Sequence, residues 1–211
     1  MPDWLAPNTL TLIGFVHSFG PLVLMFIIGG FNLVEPLPWW WYVVQAYCYL
    51  IYRLFDEFDG KQARKTGNSS ALGLIFDHGC DAFTSGLQSI MSVRAMQVGN
   101  NSLALFGVAS VVSSFHFATI EEYYRGTLDL PILNGCSDGS VMIILFYLVT
   151  GLVGPKYLTK PLFENKLGVF TEIEQFTPGH LINFFMSFTC AVGTLYCFYR
   201  IIQSKYRPDP K

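Results

Sequence analysis

The sequence predicts an all-α integral membrane protein, a six-transmembrane-helix bundle, and three observations carry that prediction. Of its 211 residues 52% are hydrophobic and only 13% are charged, about half the charged share of an ordinary soluble domain. Six apolar runs approach or exceed the roughly 20 residues needed to cross the hydrocarbon core. No repeat, low-complexity tract or linker divides the chain, so residues 1–211 are expected to form a single domain.

The first run, Leu10–Phe31, follows Pro7, a residue suited to the opening turn of a helix. It lacks a basic leader and a small-residue cleavage site, so it reads as a membrane helix and not as a removable signal. Glu35–Pro38 reads as a turn. The second run, Trp39–Phe55, opens on Trp39-Trp40-Trp41-Tyr42, the composition of an aromatic belt at one membrane interface. Lys61, Arg64 and Lys65 then fall in or near a surface loop. The remaining runs are Gly73–Met96, Leu103–Tyr123, the short Ser140–Val153, which is expected to extend into its flanks, and Leu181–Ile202. Glu121–Gly139 and Gly154–His180 are the longer connections, and Ser204–Lys211 reads as a frayed end.

Basic residues orient the bundle. With a cytoplasmic N-terminus, Arg53, Lys61, Arg64, Lys65, Arg125, Arg200, Lys205, Arg207 and Lys211 lie inside, and Arg94, Lys156, Lys160 and Lys166 lie opposite. The net charge of −2 gives no basic surface of the kind that binds nucleic acid. Five cysteines without C-x-x-C spacing read as buried free thiols and not as a zinc site. His17 and His116, inside apolar runs, read as hydrogen-bonded helix residues. His180 reads as a loop or cap residue, and Glu121 and Glu122 as a solvated interfacial pair.

One stretch departs from this lipid-like background. Asp56 and Asp59 are three residues apart and Asp77 and Asp81 are four apart, so each pair falls on one helix face. Carboxylates gathered near lipid repel one another and call for a cation or for protonation. Two helices offering such pairs toward one gap make a hard-oxygen site suited to Mg²⁺ or Mn²⁺, ions that keep positions open for substrate phosphates. Gly60, where the helix can stop, and Gly73, on the face of Asp77, leave room for a ligand to approach the backbone. Arg64 offers a planar fork for phosphate. His78 could accept a proton near neutral pH or support Asp77 from behind. Asn8 alone reads equally as a helix-start cap. The reaction class this suggests is phosphoryl-type transfer at a membrane surface.

The spacing Asp56-x2-Asp59-Gly60-x2-Ala63-Arg64-x8-Gly73-x3-Asp77-x3-Asp81 resembles the signature of the CDP-alcohol phosphotransferase family. The wording of Asp59–Arg64 and Phe76–Asp81, with Trp4–Asn8 and Leu130–Gly135, is similar to its eukaryotic choline and ethanolamine phosphotransferase branch. The resemblance implies a six-helix catalytic core in which Asp56, Asp59, Asp77 and Asp81 bind the metals and Asn8 and Arg64 contact the CDP-alcohol. It implies that His78, or in some members the residue at Asp81, takes the proton of the diacylglycerol hydroxyl. CDP-choline or CDP-ethanolamine would be the donor, CMP the leaving group, the endoplasmic reticulum the membrane and the cytoplasm the side faced by the site, with a homodimer left open. The branch usually carries Pro and Glu where this chain has Ala71 and Leu74, and its members are longer at both ends. Two other readings stand beside this one: a transferase using CDP-diacylglycerol and a soluble alcohol, and a non-catalytic membrane scaffold retaining the core.

Overall fold

The computed structural model describes residues 2–30, 32–126, 138–166, 168 and 170–206, with residues 205 and 206 described by their backbone alone. Among the described residues there are six α-helices: α1 (Pro7–Gly29), α2 (Trp39–Thr66), α3 (Ala71–Ala95), α4 (Ser102–Arg125), α5 (Asp138–Val153) and α6 (Pro178–Tyr206). The expected motif at Leu130–Gly135, together with Cys136, Arg207 and Lys211, lies outside the described residues. The long connection before α6 holds a 3-10 turn (Pro155–Thr159) and a minimal antiparallel pair, β1 (Phe163–Glu164) with β2 (Gln175–Phe176), a small departure from an all-helical chain.

Helices α1, α4 and α6 are long and apolar enough to cross a membrane. Helix α5 is apolar but has only 16 residues, while α2 and α3 have the length but carry the charged signature.

The local chemistry of each terminus explains its position. Pro7 starts α1. Ser70 caps α3 by accepting a hydrogen bond from the Gly73 N–H (3.1 Å), and Asn101 caps α4 through the Ala104 N–H (3.0 Å). Helix α2 does not stop at Gly60, as the sequence had suggested. It runs to Thr66 and ends on Gly67 in the left-handed region (φ 69°). A mid-helix glycine costs about 1 kcal/mol, and the strong helix formers Lys61, Gln62, Ala63, Arg64 and Lys65 outweigh it. The basic residues assigned to a loop therefore lie on the last turns of α2.

The core sits at the end of the bundle away from the aspartates. Trp41, Tyr42, Ala46, Met91, Met96, Leu103 and Tyr147 are among its buried members. Only Trp39 and Trp40 of the expected aromatic belt face outward; Trp41 and Tyr42 are fully buried. The Trp41 Nε1–H donates to the Pro21 carbonyl (2.9 Å) and the Tyr42 hydroxyl to the Ala95 carbonyl (3.0 Å), which meets the requirement for polar partners inside a core. Helix α4 packs along α6 and α2 against α5, while α1 packs against both α2 and α3. Direct contact between α2 and α3 is sparse, so α1 is the wedge that spaces the two acidic helices.

A short strap completes this end. Gln62 is buried (3% exposed), and its amide donates to the carbonyls of Pro2 (2.8 Å) and Leu5 (3.1 Å). Lys65 reaches Asp3 at 2.6 Å, and the ammonium holds that exposed carboxyl below its ordinary range. The segment before α1 is thereby laid against α2, which brings Asn8 to the acidic region.

Candidate active site

Three of the four aspartates meet. Carboxylate oxygens of Asp56 from α2 and of Asp77 and Asp81 from α3 all lie within 4.8 Å of one another. Asp59 stands one turn further along α2, 5% exposed, accepting a hydrogen bond from the Thr11 hydroxyl of α1 (2.5 Å) and reaching Asp77 side chain to side chain. Arg53, one turn before Asp56, is 2.5 Å from its carboxylate, and the Tyr52 hydroxyl donates to Asp81. One guanidinium against this many carboxylates leaves an excess of negative charge. The Asp77 Oδ1 is buried and has no hydrogen-bond partner, an orphan of the kind a cation would satisfy. All-oxygen donors from carboxylates suit a hard divalent ion, and the residues present therefore fit Mg²⁺ or Mn²⁺.

Two cavities flank the cluster. The smaller, about 180 Å³, is walled by Asn8 and Thr11 of α1, Asp59, Gly60 and Arg64 of α2, and Gly73, Leu74 and Asp77 of α3. Asn8 and Arg64, expected to contact the donor, and Gly60 and Gly73, expected to leave room for it, share this one space. Asn8 does not cap α1; it is the second residue of the helix, and the cap position is Ala6. At Gly73 a Cβ would come within 3.2 Å of the Ser70 Oγ and 3.4 Å of the Asn8 Oδ1, so a larger side chain would intrude between two walls. Of the two departures from the branch, Leu74 lines this cavity whereas Ala71 is exposed outside it.

The larger cavity, about 380 Å³, begins at Asp56, Asp77, His78 and Asp81 and continues between α3, α4 and α6 past Thr84, Gln88, Ser114 and Phe115 to Cys190. Asp77 borders both spaces. His78 faces Glu122 of α4, Nε2 to Oε2 3.5 Å, each side chain 28% exposed. Glu122 is therefore not merely solvated: it lines the larger cavity beside His78. Glu121 is buried, 3.0 Å from Arg200 and 3.6 Å from Arg125, and ties α4 to α6.

Several contributors escaped the sequence reading. Tyr52 lies four residues before Asp56 and so on its face, a legible signal; Thr11 and Glu122 come from other helices and left none. His17 and His180 agree with their expected roles. His17 Nδ1 meets the Ile13 carbonyl (2.7 Å), and His180 Nδ1 accepts from the Thr177 N–H (3.1 Å) at the start of α6. His116 has no carboxylate within ion-pair distance among the described residues. Of the described cysteines, Cys80, Cys190 and Cys197 are buried and Cys48 is half-buried.

A family model for CDP-alcohol phosphatidyltransferases matches residues 4–159, and the chain belongs to that family. It is 32% identical over 197 residues to choline/ethanolaminephosphotransferase 2 of Arabidopsis thaliana, covering 92% of this chain and 50% of the relative. It is 35% identical over 173 residues to cholinephosphotransferase 1 of Rattus norvegicus, covering 80% of this chain and 43% of that one. The chain thus spans about half the length of the curated relatives it matches.

Proposed function

We propose that this protein transfers phosphocholine or phosphoethanolamine from its CDP ester to diacylglycerol and releases CMP. The observation that carries the reading is Asp77, an acidic wall common to a small cavity with a phosphate fork and a larger cavity with an imidazole–carboxylate pair. In this reading the smaller cavity takes the CDP-alcohol, with Arg64 on its phosphates and Asn8 and Gly73 fixing how deeply it enters. The acceptor enters the larger cavity, hydroxyl first. His78 takes the hydroxyl proton while Glu122 orients the ring. The freed oxygen attacks the β-phosphorus, and the bond from that phosphorus to its bridging oxygen breaks, so CMP departs with the electron pair. Asp56, Asp59, Asp77 and Asp81 would hold Mg²⁺ or Mn²⁺, which supplies charge neutralisation on the phosphates and on the departing CMP. Asp81, already accepting from Tyr52, serves as a ligand and leaves the base role to His78.

All six helices are read as crossing the membrane, with the aspartates toward the cytoplasm and the endoplasmic reticulum as the membrane the resemblance implies. The support is topological: Arg64, Arg125 and Arg200 stand on the last turns of α2, α4 and α6, at the aspartate end. The test is transfer of labelled headgroup from CDP-choline and CDP-ethanolamine to diacylglycerol in detergent micelles, with Mg²⁺ or with a chelator. Asp56→Asn and Asp77→Asn are expected to lower turnover by at least about 10²-fold, as is chelation. Full turnover in either variant would sink the metal assignment. No product from folded protein would instead favour the scaffold reading.

A further inference from the structure

The acidic face of α3 does not end at Asp81. Seven and eleven residues beyond Asp77, still on that face, stand Thr84 and Gln88, which are 1% and 6% exposed. Both line the larger cavity. The Gln88 Oε1 accepts from the Gln45 Nε2 (2.7 Å), which leaves the Gln88 NH₂ group, and that nitrogen is buried with no partner. The Thr84 hydroxyl is likewise buried and unmatched. A buried unmet donor is costly, so two of them on the wall of one cavity mark a place that favours a ligand bringing acceptors. Neither serves the carboxylate cluster, whose own partners are Arg53, Tyr52 and Thr11.

We propose that Thr84 and Gln88 donate hydrogen bonds to the ester carbonyls of the glyceride acceptor and so select a diacylglycerol over its ether-linked counterpart. The inference rests on the larger cavity being the acceptor chamber. Thr84 lies six residues beyond His78, about 9 Å along the helix axis at 1.5 Å per residue, and the Gln88 side chain leans back toward the N-terminus from one turn deeper. A hydroxyl held at His78 therefore puts the two ester groups, deeper in the bundle, at the level of these donors. The acyl chains continue past apolar Val111 and Phe115. In the free protein a water can satisfy the two donors and be displaced by the carbonyls. An ether oxygen is a poor acceptor with no carbonyl to present, and a site built around donors discriminates against the ligand that leaves them unmet.

The experiment compares dioleoylglycerol with dioleyl ether glycerol as acceptors for the full chain in detergent micelles with CDP-choline and Mg²⁺. The wild type is expected to show a kcat/KM about tenfold higher for the diester. Thr84→Val and Gln88→Leu should each raise the diester KM by about tenfold, leave the ether acceptor and the CDP-choline KM unchanged, and so close the gap. Thr84→Ser, which keeps the hydroxyl, should preserve it. An active wild type that uses both acceptors equally, or variants that depress both alike, overturns the inference and leaves the transferase reading standing. Transfer to neither acceptor by folded wild type overturns the transferase reading and this inference with it. Should Gln88→Leu fail to fold because Gln45 loses its partner, the Thr84→Val and Thr84→Ser pair decides.

Discussion

His78 and Glu122 illustrate why a side chain's role is set by what it faces. By sequence His78 is next to Asp77, which suggested a supporting partner for that aspartate, but adjacent helical residues point about 100° apart. Its ring turns to α4, where Glu122 waits at 3.5 Å, a distance that needs only a small adjustment to become a hydrogen bond. A carboxylate on one ring nitrogen fixes the imidazole and leaves the other nitrogen to the substrate. His78→Ala is expected to lower kcat by about 10²–10⁴-fold and Glu122→Gln by less, with the KM for CDP-alcohol unchanged in both. Because the two act as one unit, the double variant should be no worse than His78→Ala, and a double-mutant cycle in kcat checks this. Losses that multiply would show that Glu122 acts independently. No pattern in the sequence could have joined these residues, since the pairing depends on how α3 packs on α4.

Among the helices, the sequence revealed existence better than extent. All six apolar runs are helical, and a helix satisfies every backbone group within its own segment. The end of α2 is not legible from Gly60 alone, because the helix formers beside it carry the helix on to Thr66, and the pair at 163–164 and 175–176 carries no strand signal of its own. The continuity of α2 past Gly60 has a structural consequence. With α2 continuous to Thr66, Gln62 stays in helical register and can grip the strap before α1. Gln62→Ala removes two hydrogen bonds worth about 1 kcal/mol each, releases the strap and lets Asn8 drift. The KM for CDP-alcohol should rise several-fold while the acceptor KM holds, and amides of residues 3–6 should exchange faster. An unchanged donor KM with a demonstrably freed strap would remove Asn8 from the donor site.

Taken whole, the molecule is packed at one end and charged at the other. The buried aromatic and methionine core closes the end remote from the aspartates, while at the acidic end α2 and α3 rely on α1 for their spacing. Clustered carboxylates push that end apart, so a bound divalent ion should stabilise the whole bundle. At a concentration 100 times its dissociation constant an ion bound only by the folded state contributes about 2.7 kcal/mol. Thermal unfolding in detergent should therefore move upward on adding Mg²⁺, and Asp77→Asn should abolish the shift while raising the metal-free midpoint, since it removes a repelling charge. A shift that survives in this variant would place the ion elsewhere.

Asp77 is a party wall. Because the same carboxylate bounds both chambers, neither can be remodelled as a private room: whatever charge settles on one side is felt on the other across a single side chain. If the proposed transfer holds, headgroup choice and lipid choice share one boundary, and the layout has a single point of failure. Lose that residue, and both cavities lose the same wall.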